Sequence, residues 1–403
     1  MAYPRWQAEA PGTDPGRRHG VVNQAGPIAI AATHIGGGVP RYATQMHGYR
    51  CYRTVARSGT SSQMGGPRVS LTRPSVSPSW KGTAMKAAVY DHNGPPEVLR
   101  YTDMPDPEIT SRDVLIRVEA ISIEGGDLIN RRDALPGRAP HIIGYAAAGT
   151  VIAIGDAVAD RKPGDRVTSW GLDGSHAELR AVPADQTWLL PPDVSAAEAA
   201  AIPIGFGTAH HCLFARGQLS GGNIVVVQGA AGGVGVAAVQ LARLAGATVL
   251  AVASGEDRAR KLIELGASTV IDHHVESVVD VVRELTGGLG ADLVVDPVGS
   301  TLPTSLAALR DEGILVAVGN AGGGALTLDL WPAVQRNQTV SGVFMGTMLS
   351  RPAARQTIDT MLADVAEGRL SVPIDSRFSL AEAAAAHRHA EENKILGRVL
   401  LIP

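Results

Sequence analysis

Seven residues, Gly229-Ala230-Ala231-Gly232-Gly233-Val234-Gly235, constrain this chain more than any other feature, because they join an apolar, β-branched run at 224–228 directly to a helical run at 234–245. Four glycines in so short a link suit a turn whose backbone must pass close to something else. The alternation then repeats. Strands are expected at 248–253, 269–271, 293–296 and 314–318, and helices at 257–265, 278–285 and 302–309. A strand near 339–344, a helix at 353–367 and a strand at 399–402 complete the pattern. Continuous apolar strands alternating with amphipathic helices predict an α/β fold, its parallel sheet covered on both faces in the doubly wound manner.

The chain before residue 195 has a different character. Short runs at 86–90, 114–120, 148–154, 166–168 and 177–182 read as strands, separated by turn-forming pairs such as Gly155-Asp156 and Pro163-Gly164-Asp165. An irregular, mainly β domain is expected there, with Ser195 as the N-cap of an alanine-rich helix that leads into the alternating region. With 403 residues, two packed cores are expected.

Charge sets the first 84 residues apart: nine Arg and Lys81 face only Glu9 and Asp14 there, whereas the whole chain has a net charge of −3. Glycines and prolines interrupt this segment without helical or strand period, so 1–84 is read as a mostly disordered extension, either dispensable or produced by a start placed ahead of Met85. No apolar run approaches the ~20 residues of a membrane helix. The two cysteines, Cys51 and Cys212, supply neither a disulfide framework nor a four-thiolate zinc site. These features predict a soluble, cytoplasmic protein whose partner is a small molecule rather than nucleic acid or membrane.

The chemistry concentrates in the glycine-rich turn. Gly232, Gly233 and the N–H groups that open the helix can meet a pyrophosphate, since no Cβ intervenes and a helix N-terminus carries partial positive charge. Gly235 would let helix and sheet pack closely. Ala230 stands at the first glycine of the dinucleotide fingerprint, so the pattern is AxGxxG; a turn without ligand is the bland alternative. An NAD-specific site offers an acidic residue at the end of the second strand, but Ala253-Ser254-Gly255 stands there. Arg258, one helical turn on, could meet a 2′-phosphate, which favours NADP(H). Against this, a shifted turn could bring in Glu256 or Asp257, and Arg258 and Arg260 could be solvated surface charges.

The chain resembles the medium-chain dehydrogenase/reductase superfamily, and within it the zinc-independent quinone oxidoreductases related to zeta-crystallin. The resemblance runs over 85–403. It rests on Val114-Leu115-Ile116-Arg117-Val118 followed by Asp127, on Gly144 and Gly149, on Lys162-Pro163-Gly164-Asp165-Arg166-Val167 and on Gly174-Ser175-His176-Ala177-Glu178. The glycine-rich turn, Asp296-Pro297-Val298-Gly299 and Gly319-Asn320 continue it. It implies a Rossmann sheet, 207–346, inserted in a GroES-like β domain formed by 85–206 and completed by 347–403, with the active site between them and a homodimeric assembly. Glu124, Tyr145 and Thr208 are then the candidate catalytic residues. Gly229, Ala230, Ala231, Gly232, Gly233, Val234, Gly235, Ser254, Arg258, His273, Gly319, Asn320 and Phe344 are the candidate cofactor contacts.

Metal is not expected. Where related zinc alcohol dehydrogenases place a Cys ligand and a Gly-His-Glu motif, this chain reads Ile123-Glu124-Gly125 and Gly144-Tyr145-Ala146, and His141, His176, His210 and His211 lack a ligand spacing. Glu124 replaces the Asn usual in similar quinone reductases and is either a pocket residue or a surface-loop carboxylate. Asp127 reads as structural, and Cys212 as a buried small hydrophobe rather than a nucleophile. The expected activity is NADPH-dependent reduction of a quinone or related conjugated carbonyl. An enoyl or alkenal reductase, or a largely non-catalytic NADPH-binding protein, are the alternatives.

Overall fold

The computed structural model describes residues 84–392 and 394–403, and the expectations for 1–83, the disordered extension and Cys51 among them, lie outside the described residues. Within the described chain, β1 (Asp113–Ser122) buries Val114, Ile116 and Ile121 and pairs antiparallel with β2 (Ala146–Ile154). Between them runs α1 (Gly125–Asp133), a helix for which the sequence gives no expectation. Two leading glycines and a polar composition give α1 little intrinsic helix tendency. A local cap, in which Asp127 accepts a hydrogen bond from the Glu124 N–H at 2.8 Å, and tertiary contacts supply the rest: the buried Arg131 ion-pairs with Glu391 and donates to the Gly94 carbonyl.

The alternating region forms as expected, with ends shifted by a few residues. In chain order it comprises β3 (Ile224–Val227), α2 (Gly233–Leu244), β4 (Thr248–Val252), α3 (Glu256–Leu265), β5 (Thr269–Ile271), α4 (Val278–Leu285), β6 (Ala291–Asp296), α5 (Leu302–Ala308), β7 (Leu309–Ala317) and β8 (Thr339–Gly342). Its six parallel strands lie in the order β5-β4-β3-β6-β7-β8. The order reverses direction between β3 and β6, which opens a crevice at their carboxyl ends where open α/β sheets bind ligands. Val225, Val226 and Val227 are fully buried because helices cover both faces.

The rest of the chain returns to the first sheet through α6 (Pro352–Ala366), α7 (Ala383–Glu391) and β9 (Arg398–Ile402). β9 pairs antiparallel with β1, Leu400 against Ser122 and Leu401 against Ile121, so the last strand completes the sheet begun nearly three hundred residues earlier. A second edge strand, Ile374–Ser379, extends it beyond β9. α7 is anchored there by His387, whose Nε2 lies 3.0 Å from Nε2 of His176, both rings being fully buried. One apolar core runs from Trp188 and Phe206 through Val225 and Val236 to Met345 and Ile358, so the two sheets share packing rather than merely adjoining.

Candidate functional site

The glycine-rich turn is shaped by close approach. A Cβ on Gly235 would lie 2.5 Å from the Gly229 carbonyl oxygen, so only glycine lets α2 start this near the end of β3. Gly229 itself has φ +53, and its Cβ would press on Val298 at 3.0 Å. Gly232 is different: a Cβ there would meet only the Gly229 carbonyl, at 3.4 Å. The protein's own packing barely requires glycine at 232, whereas a ligand against the backbone would. Gly232 caps α2 without any side-chain hydrogen bond, which leaves the helix N-terminus to an external anion.

The rim of this turn carries unmatched polar atoms. Gln228, 2% exposed, presents a buried Nε2 without a partner, and Asn320 presents a buried Oδ1 without one. Asn320 is held by its own Nδ2, which donates to the Gly324 carbonyl at 2.8 Å. Gly319 packs on Pro297, which lies against Gly229, and Asn320 Oδ1 lies beside Gly299 in the turn after β6. Asp296 beneath them accepts from the Val298 and Gly299 N–H groups and from Thr301 and Ser305, and thereby shapes the turn after β6.

At the end of β4 the Arg258 guanidinium donates to Ser254 Oγ at 2.9 Å. The charges competing with it in the sequence reading are placed elsewhere: Asp257 pairs with Arg260 at 2.7 Å in solvent, and Glu256 is exposed. Gly255, with φ +91, is fastened by its N–H to Asp272 at 3.2 Å, which also sets His273 next to this turn. Asp272 was not foreseen. Its carboxylate is held below the usual range by the N–H groups of His274 and Gly255.

The third cluster gathers around Glu124, and burial removes one of the two settings left open for it. Glu124 is not a surface-loop carboxylate. It is 1% exposed, its Oε1 accepts from Ser122 Oγ at 2.8 Å, and its Oε2 lies 2.6 Å from Nη2 of Arg398. Burial pushes its pKa up, against the pull of Arg398 and Ser122. Asp127 bonds to the N–H groups of Glu124 and Tyr145, at 2.8 and 3.1 Å, which is the structural task expected of it. Burial first, and then the charge of Glu124, push Asp127 up to about 8, against those two donors. Tyr145 receives a hydrogen bond from Asn130 at 2.8 Å, and burial pushes its phenol up to about 12. Thr208 lies almost buried in a short helix, Gly207–His210, flanked by wider turns.

Arg398 joins these clusters and was missed by the sequence reading. A Cβ on Gly233, at the first turn of α2, or on Gly205, three residues before Thr208, would collide with its guanidinium. Nη1 donates to the Ile123 carbonyl at 3.3 Å. The only sequence signal was one basic residue opening an otherwise apolar last strand.

Residues 110–192 match the alcohol dehydrogenase GroES-like domain, and residues 233–367 match the zinc-binding dehydrogenase family. The quinone oxidoreductase of Pseudomonas aeruginosa is 33% identical over 315 residues, which cover 77% of this chain and 97% of that protein. This chain belongs to the medium-chain dehydrogenase/reductase superfamily. The 2-haloacrylate reductase of a Burkholderia species is 30% identical over 335 residues, or 79% of this chain and 98% of that one. The Escherichia coli quinone oxidoreductase solved with NADPH superposes with a TM-score of 0.76 at 26% identity, covering 79% of this chain and all of the other.

Although one matching family of the superfamily is described as zinc-binding, the described residues around Glu124 do not make up a zinc ligand set. Among the described residues no three His, Cys, Asp or Glu side chains converge on one point. Glu124, at the position of the Cys ligand in the related zinc alcohol dehydrogenases, is engaged by a cation instead. Cys212 is fully buried, and burial pushes its thiol up to about 12, far from a thiolate nucleophile at neutral pH. Phe344 lies just beyond β8, its ring beside Gly346, with Leu172 from the other sheet's side also near that glycine. Among the described residues, no helix is long and apolar enough to cross a membrane.

Proposed function

We propose that this chain is a zinc-independent, NADPH-dependent reductase of quinones or related conjugated carbonyl compounds. The observation that carries the reading is the end of β4, where a Ser254-Gly255 turn with no acidic residue of its own meets Arg258, beside a dinucleotide-type turn at the sheet's switch point. NADPH held there supplies hydride from its nicotinamide ring. The N-terminus of α2 and Arg398 would hold the diphosphate, Arg258 and Ser254 the 2′-phosphate with His273 alongside, and Gln228 and Asn320 would find partners in the nicotinamide half. The named relatives, two quinone oxidoreductases and one of them solved with NADPH, support the same reading.

The protein's part is then orientation, exclusion of water and polar stabilisation. A phenol raised to about 12 stays protonated at neutral pH, so Tyr145 can donate toward a developing oxyanion, as can the Thr208 hydroxyl. Reduction of a quinone can take its last proton from water and therefore needs no dedicated acid. Phe344 and Leu172 supply apolar cover. The residue spans 85–206, 207–346 and 347–403 serve as the working domain division, with a cleft between the two sheets. A homodimer through the β8 edge fits the exposed Trp331, Val334 and Val340 beside it. A cytoplasmic setting belongs to the same proposal and rests on the chain's two cysteines.

The haloacrylate reductase relative favours a second reading, in which an activated alkene is the acceptor. Purified protein with NADPH or NADH and a panel containing a benzoquinone, an enone and a 2-haloacrylate decides among these. NADPH oxidation fastest with the quinone is expected. Preference for either alkene moves the chain to the second reading, and binding of NADPH without turnover of any acceptor overturns the enzymatic one.

A further inference from the structure

We propose that Glu124 is an internal anion that occupies Arg398 in the free protein and competes with the incoming dinucleotide for it. This rests on the proposed site, in which a diphosphate lies at the start of α2. Arg398 and Glu124 have side chains only 8% and 2% exposed and meet at 2.6 Å. A guanidinium buried to that degree requires an anion, and Glu124 provides it. The same guanidinium lies against Gly233, the first residue of α2, where a helix N-terminus also attracts negative charge. One cation therefore serves two anionic positions. A carboxylate and a diphosphate on the same guanidinium repel each other in a medium that screens them weakly.

Glu124 is thus a positioning residue that sets cofactor affinity through Arg398, and it is not assigned to the substrate. The surroundings are built for release. Ser122 Oγ donates to Oε1 at 2.8 Å, a contact that does not depend on Arg398. The charged and titratable groups around the carboxylate are Arg398 on β9, Asp127 on α1 and Tyr145 ahead of β2. With Arg398 withdrawn, only acidic or phenolic neighbours remain, so the released carboxylate takes up a proton. Dinucleotide binding is then coupled to protonation at Glu124.

Two measurements test this. Removing one charge-assisted contact from the competing side is expected to tighten NADPH binding about tenfold or more in Glu124→Gln, measured by fluorescence titration. NADH is the second probe, because its diphosphate carries no group that titrates near neutrality. Calorimetry of NADH binding in buffers of different ionisation enthalpy is expected to show proton uptake by the wild-type protein that disappears in E124Q. Unchanged or weakened NADPH affinity in E124Q overturns the competition. If E124Q does not fold, absence of proton uptake in the wild type overturns it alone. Wild-type protein that binds neither NADPH nor NADH removes the site reading and this proposal together, whereas normal binding without uptake removes only the exchange.

Discussion

Arg258 and Arg398 are both single cations at the edge of the proposed cofactor site, yet only Arg258 was legible in the sequence. Arg258 belongs to a local pattern: the end of a strand, a glycine and one turn of helix fix its neighbourhood within five residues, and Ser254 indeed accepts from it. Arg258→Ala is expected to lower the NADPH/NADH affinity ratio by about tenfold or more, the worth of one charge-assisted contact. Titration of both dinucleotides checks this, and an unchanged ratio removes Arg258 from the 2′-phosphate. Arg398 has no such local frame. Its partners Glu124, Gly205 and Gly233 lie 165 or more residues away along the chain, and no spacing rule connects them.

At the level of elements, α1 and α7 show how tertiary contacts override local tendency. α1 forms from a glycine-led, polar segment because Asp127, through the Tyr145 N–H, and the buried Arg131, through Glu391, tie it down. α7 is fixed by the His176–His387 contact, in which the tautomers that leave no buried N–H unmatched have His387 donating from Nε2 and His176 donating from Nδ1 to Ser175. Burial lowers His176 to about 3 and His387 well below its ordinary 6.5. Both rings are neutral when folded and bind protons when unfolded below that value. Their contribution is therefore complete above pH ~6.5 and is lost as pH falls, by up to about 1.4 kcal/mol per pH unit for each ring. His387→Leu is expected to flatten the fall in stability between pH 6.5 and 5, as followed by urea denaturation. An unaltered slope would show that this pair does not control acid unfolding.

For the whole molecule, the decisive feature is that β9 closes the sheet begun by β1 and carries Arg398 into the space between the two sheets' elements. A cation from the last strand and a carboxylate just beyond β1 meet at the position of a zinc ligand in the related zinc alcohol dehydrogenases, so prolonged chelation is expected to leave reductase activity unchanged. Loss of activity restored by zinc, but not by magnesium, would overturn the zinc-free reading. The doubly wound sheet, its glycine-rich turn and the acid-free end of β4 were determined by the sequence alone, because periodicity, glycine placement and neighbouring side chains act within a few residues. The burial of Glu124, its partner and the helix that follows it were decided only by the tertiary structure. A carboxylate's exposure and charge depend on which distant strand packs over it, and that is set by the closing of the whole chain around a shared core.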